Sequence, residues 1–294
     1  MSFTSTLRQL FGSTSGPGPG RVRNHRGSGP SRRVQSRRLS LKSLECREVF
    51  STDLLSAFAI GNNTGNSSVD FDPGSKTNWQ SSGVSGPASY MLNLNSQGNF
   101  RRVSVFQSSA ASSSVATDVA LDSSGNTVVG GYYGGPVDFN PGSGITRLSS
   151  GGAYVTKLNQ NGGLVWARSL DRSSGSTTGV SGLAIGADNS IFVAGGFNGT
   201  TDFDPGTSNV SRTTAGLSDG YLLNLTSAGN FAWVETFGGT QDDYVTGVSV
   251  DAGGTIHLAG VFSGTVDFNP GLETENLTSP GTFRTSFLVR LRRR

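Results

Sequence analysis

From Leu54 onward, short runs of β-branched and aromatic residues alternate with clusters of Gly, Asn and Ser. Apolar runs bounded by turn residues predict short β-strands. In the middle of the chain they form a set of four: Val180–Ile185, Ile191–Gly195, Tyr221–Leu225 and Phe231–Phe237. Gly186–Ser190 separates the first two and Thr226–Asn230 the last two. Asp122–Asn126 and Asn95–Asn99 are turns of the same kind. Their Gly and Asn residues tolerate the positive φ that tight hairpins demand. Alternation in the last strand predicts Phe231, Trp233 and Phe237 on one face, with Ala232 and Val234 on the other.

The pattern recurs. The string Asp-Phe-Asx-Pro-Gly begins at Asp70, Asp138, Asp202 and Asp267, about 65 residues apart. Tyr90, Tyr154, Tyr221 and Phe287 open one set of similar segments. Phe100, Leu164 and Phe231 open a second set, and Ala116, Val180 and Val245 a third. Four features in one order at one period identify an internal repeat, with units at approximately 49–114, 115–178, 179–243 and 244–294. Each unit predicts an antiparallel sheet of four strands. The fold class is therefore all-β, with sheets read as β-propeller blades around an axis and a β-sandwich array as the alternative.

The ends of the chain bear on closure of such a ring. The last unit holds three strand patterns, and Arg294 falls where the fourth would begin. The first unit lacks a clear opening hairpin. Leu39–Leu44 could serve as an outer strand of the last blade, and Cys46–Ser51 as the first strand of the first. Without them, the expectation is an open arc or an oligomer joined through exposed strand edges.

Composition narrows the class further. Of 294 residues 43 are Gly, and charged residues are 15%, against ~25% in ordinary globular chains. This favours a turn-rich folded protein and excludes a coiled coil or a charged disordered chain. The net charge of +3 averages two unlike segments. Residues 1–48 carry ten Lys/Arg and two acids, and residues 49–294 carry 13 and 18. Residues 1–48 read as a disordered basic arm, and residues 49–294 as a mildly acidic body with no basic, aromatic-lined face for nucleic acid. No apolar run approaches the ~18 residues of a membrane helix, so no transmembrane segment is expected. Cys46 is the only cysteine, which excludes an intrachain disulfide.

The stretch Tyr221–Phe268 resembles the SBBP repeat of bacterial seven-bladed β-propeller proteins. The resembling features are a tyrosine-led strand, a small-residue turn, the Gly-Gly step before Asp242 and Asp243, the segment Gly247–Asp251, and Leu258–Gly260 leading to Asp267–Phe268. The likeness extends over roughly residues 54–294; it implies a propeller fold and no catalytic residues. A second resemblance lies at Arg37–Ser51, which is similar to the N-terminal sorting motif of planctomycete extracytoplasmic proteins. Arg38, Leu39, Leu41, Ser43, Leu44, Glu45 and Arg47 carry it. It implies export to the envelope or beyond, although no apolar segment of an ordinary signal peptide is evident.

Few residues suggest chemistry. In each Asp-Phe-Asx-Pro-Gly segment two side-chain oxygens stand one residue apart before a Gly, the opening of a calcium loop. The candidate ligands are Asp70 and Asp72, Asp138 and Asn140, Asp202 and Asp204, and Asp267 and Asn269. After the first three segments no Glu occupies the last position of such a loop. Asx-Pro-Gly is also a turn sequence in its own right, and that reading is preferred. His25 and His257 are isolated, so neither a zinc cluster nor a Ser/His/Asp triad is expected. Asp242 and Asp243 are an acid pair whose adjacent side chains should point apart. Trp79, read as equivalent to Leu148, Arg212 and Leu277, could stack on a sugar or pack in the edge. The Gly-rich second strands lack a phosphate loop's lysine and are expected to permit close blade packing.

These observations point to a non-enzymatic, extracytoplasmic binding or structural module without a cofactor. Its ligand would be a protein or a glycan, held on the face that carries the long polar segments after Gly74, Gly142, Gly206 and Gly271. The alternatives are a carbohydrate hydrolase or lyase on the same scaffold and a calcium-stabilised adhesion module.

Overall fold

The computed structural model describes residues 37–38, 46–47, 56–63, 68–72, 74–81, 87–95, 97–109, 112–172, 175–269, 274–280 and 283–292. All belong to the second of two units, Met1–Val34 and Gln35–Arg294. Within the segment expected as a disordered arm, Cys46–Arg47 is strand. The remainder of the expected basic arm, apart from Arg37–Arg38, lies outside the described residues, as does Leu39–Leu44.

The described residues are all-β, with no helix, and therefore none long and apolar enough to cross a membrane. Four sheets follow one another along the chain. The first has strands β1 (Cys46–Arg47), β2 (Ser56–Asn63), β3 (Ala88–Asn95) and β4 (Phe100–Val105). The second has β5 (Ser113–Leu121), β6 (Thr127–Gly134), β7 (Gly152–Leu158) and β8 (Leu164–Arg172). The third has β9 (Thr177–Ile185), β10 (Ile191–Asp202), β11 (Ser211–Leu225) and β12 (Phe231–Phe237). The fourth has β13 (Tyr244–Val250), β14 (Thr255–Phe262) and β15 (Thr285–Arg292). Within each sheet neighbouring strands in sequence pair antiparallel, and Cys46–Arg47 takes the first place by pairing with Phe58–Ala59.

The hydrophobic core lies between successive sheets. One cluster joins Met91 and Phe106 of the first sheet and its following turn to Val119, Val129 and Phe139 of the second. A second joins Val128 and Leu170 to Val180, Val193 and Phe203. A third joins Phe192 and Leu222 to Val245, Leu258 and Phe268. The first strands lie in sequence, with β5 packed on β9 and β9 on β13. Polar groups cross the same joints. Thr117 donates to the Val180 carbonyl at 2.6 Å, Asp118 accepts from the Leu183 N–H at 2.7 Å, and Lys157 donates to the Ser227 carbonyl at 3.1 Å.

Two expectations need correction. The polar segments after Gly74, Gly142, Gly206 and Gly271 each contain a paired strand and are not wholly open loop. Trp79–Ser81 pairs with Ser68–Asp70, Arg147–Leu148 with Val137–Asp138, and Asn276–Thr278 with Thr265–Asp267. In the third sheet β10 and β11 run unbroken into the same extension. The end of one sheet then hooks onto the extension of the next. Gln107–Ser108 pairs with Val137–Asp138, and Asp171–Arg172 with Thr201–Asp202.

The second correction concerns β12. A bulge at Ala232 sets Asn224 opposite Trp233 but Leu225 opposite Phe231. An extra residue reverses the alternation beyond it. Phe231 and Val234 therefore pack on one core, and Trp233 and Phe237 on the other. Arg101 and Val165 are bulged at the equivalent places.

Candidate functional site

The Asp-Phe-Asx-Pro-Gly segments form the tips of the four extensions, and their hydrogen bonds recur. Oδ1 of Asp138 accepts the N–H groups of Asn140 at 3.0 Å and Thr146 at 2.8 Å. Asp70, Asp202 and Asp267 make the same two bonds. The second Asx accepts the Gly N–H: Gly74 to Asp72 at 2.8 Å, Gly142 to Asn140 at 2.9 Å and Gly206 to Asp204 at 2.7 Å. These are Asx-turns, in which the side chain takes the place of a backbone acceptor. The Phe between is buried and meets an aromatic residue of the third strand. Ring centroids are 4.6 Å apart for Phe71–Tyr90, 4.5 Å for Phe139–Tyr154, 5.0 Å for Phe203–Tyr221 and 4.6 Å for Phe268–Phe287. The two strongest sequence signals are thus halves of one contact. Among the described residues no three His, Cys, Asp or Glu side chains gather closely enough to hold a metal.

A glycine completes this contact. Gly131, Gly195 and Gly260 stand opposite Tyr154, Tyr221 and Phe287. A Cβ there would collide with the carbonyl oxygen of Val115, Gly179 or Tyr244 in the first strand. Each carbonyl lies beside a bulge, at Thr117, Ser181 and Thr246. These glycines therefore serve contacts within their own sheet. Close approach between sheets occurs at Gly130, against Val180 and Leu183, and at Gly196, against the Tyr244 ring.

Asp242 and Asp243, just before β13, point apart. Asp242 faces outward, accepting from the Tyr244 hydroxyl at 3.1 Å and from Arg284 at 3.1 Å. The Ser218 hydroxyl, with Tyr244 and Arg284, holds its carboxyl below the usual range. Arg284 also lies over the Tyr244 ring, 5.2 Å from the centroid. Asp243 turns inward, accepting from Gly239 N at 2.7 Å and Ser263 N at 2.9 Å. Burial raises its pKa, and the neighbouring Asp242 adds to the rise. Asp219, just 4% exposed, accepts from Ala215 N at 3.0 Å through Oδ2, while Oδ1 is buried without a partner. Burial, with a contribution from the Asp243 charge, pushes its pKa up to about 6. Repeat register could have exposed it, because Asp219 stands where the other units have Ala88, Gly152 and Thr285.

The other candidates are dispersed. His257 lies 3.7 Å from Asp251 on the fourth sheet, and His25 lies outside the described residues. Trp79 is 44% exposed and pairs across from Asp70. Its true equivalents by register are Arg147, Ser211 and Asn276, one place before the residues chosen from sequence.

The described cavity of note was not foreseen. It is a cleft of about 320 Å³ where the second, third and fourth sheets meet. The end of β6 supplies Tyr132, the start of β9 Thr177 and Gly179, and β10 Gly196. Ser218 of β11 and Tyr244 of β13 complete one wall. Compared with known proteins, the chain matches no family model and no curated sequence.

Proposed function

We propose that the chain is a propeller-type repeat module that is exported and binds a ligand without transforming it. The observation that carries the reading is the recurrence of one meander in successive sheets, with first strands packed side by side and cores between the sheets. Radial stacking of four-stranded meanders is the propeller arrangement. The likeness of Tyr221–Phe268 to SBBP repeats agrees with it, and the motif at Arg37–Ser51 supports export. The recurrent residues are occupied in turns and packing, which favours a scaffold over a catalyst. The cleft lies where first strands begin and second strands end, a place where side chains differ from sheet to sheet. Recognition commonly sits on such variable positions held by a rigid frame.

The test uses the full chain in two assays. Fractionation should place it outside the cytoplasmic membrane, and incubation with polysaccharides should release no reducing ends. A cytoplasmic protein, or steady turnover of a polysaccharide, overturns the proposal.

A further inference from the structure

The cleft has a chemical character that selects among ligands. We infer that it binds one or two sugar rings of a neutral glycan, with Tyr132 as the stacking platform. The inference rests on the binding-module reading and names the ligand class of that same face.

Its size falls near the lower end of the ~300–1,000 Å³ typical of small-molecule sites. Tyr132 is 46% exposed, and its ring stands beside Gly179, where no side chain covers it. Tyr244 stands against Gly196 in the same way. Tyr132 thus offers apolar ring surface with a hydroxyl tip, while the Tyr244 ring is engaged by Gly196 and Arg284. Tyr132 is large and, unlike the buried Tyr133 and Phe197 of the same lining, open to solvent. Thr177 and Ser218 add hydroxyls that both donate and accept.

Charge excludes the anionic alternatives. Among the described residues the lining contains no Lys, Arg, His, Asp or Glu. Charge reaches the rim through Tyr244, whose hydroxyl meets Asp242, and there Asp242 is paired with Arg284 at 3.1 Å. Arg284 is further engaged with the Tyr244 ring. No cation is left over in the lining for a carboxylate, sulfate or phosphate, and no anion for an amine. A neutral ligand with an apolar face and a rim of hydroxyls fits; a sugar ring has this form.

The test screens the purified full chain on an array of neutral, sialylated, sulfated and uronic-acid glycans. The best neutral binder is then titrated calorimetrically. Tyr132→Ala should weaken binding at least about tenfold, the scale of a truncated aromatic anchor. Tyr132→Phe should keep most of the affinity, and Trp79→Ala, in another sheet, all of it. Melting temperatures of the variants show that each remains folded, as the exposure of Tyr132 and Trp79 leads us to expect. An array with only anionic binders, or with none, overturns the inference. Neutral glycans bound equally by Tyr132→Ala overturn the cleft as their site yet leave the binding-module reading standing. Hydrolysis of a bound glycan sinks that broader reading.

Discussion

Replacing Phe139 by Ala should measure how much each Asp-Phe-Asx-Pro-Gly tip contributes to the joint between sheets. The ring is fully buried. It lies 4.5 Å from Tyr154, 5.4 Å from Phe106 and 5.6 Å from Tyr133, centroid to centroid. Phe106 follows the first sheet, whereas Tyr133 and Tyr154 belong to the second. The truncation therefore opens a cavity at the joint as well as within one sheet. Burial loss plus the cavity costs about 3–5 kcal/mol. At roughly 2–4 °C per kcal/mol for a domain of this size, the melting temperature should fall by about 6–20 °C. Asp138→Ala removes two accepted backbone N–H bonds at a half-buried site and should cost about 1–3 kcal/mol. Phe71→Ala should cost less than Phe139→Ala, since Tyr90 is its one ring partner among the described residues. Urea unfolding monitored by fluorescence gives all three values, provided the transition stays cooperative. A Phe139→Ala loss below about 1 kcal/mol, or smaller than that of Asp138→Ala, refutes the packing account.

Three further outcomes are expected. Gly195→Ala should destabilise by about 1–3 kcal/mol or more, because its Cβ meets the Gly179 carbonyl, whereas Gly247→Ala, with open space around it, should be near neutral in the same melts. Asp219 keeps its proton in the folded state up to about pH 6, while an unfolded Asp loses it near pH 4. The folded state binds more protons between those values, so stability should fall as pH rises through them, and Asp219→Asn should flatten that slope in melts from pH 4 to 7. The groups facing Asp219 include Asp243, which shifts in the same direction, so a residual slope from it should survive the substitution. If the loop tips are held by Asx hydrogen bonds alone, a chelator should leave the melting temperature unchanged; a fall of more than about 5 °C would assign them to calcium.

How far local pattern reaches is clearest in the tips. Asp-Phe-Asx-Pro-Gly is legible because each part acts on its neighbours: Asx accepts nearby N–H groups, Pro presets φ and Gly permits the turn. The four-strand order was legible for the same reason, since short Gly/Asn turns join consecutive strands. The equivalents of Trp79 are legible in the chain as well as across the hairpin: Arg147, Ser211 and Asn276 stand nine places after Asp138, Asp202 and Asp267, as Trp79 does after Asp70, and Leu148, Arg212 and Leu277 stand one place too far. The faces of Phe231 and Trp233 were misassigned because nothing in their alternation marks Ala232 as an extra residue. With the bulge in place the two sides of the strand meet two different cores.

What sequence determined here is therefore local and periodic: an all-β chain, its strand order, its turns and the beat of its aromatic pairs. Tertiary structure decided what depends on groups far apart in the chain. It joined Phe139 to Tyr154 and Phe106, buried Asp219 beside Asp243, and turned long polar segments into paired extensions. It also set Tyr132, Thr177, Ser218 and Tyr244 around one cleft. The reason is physical. Turn chemistry is settled within a few residues, whereas a cleft arises from the packing of three sheets, and no single segment carries its shape.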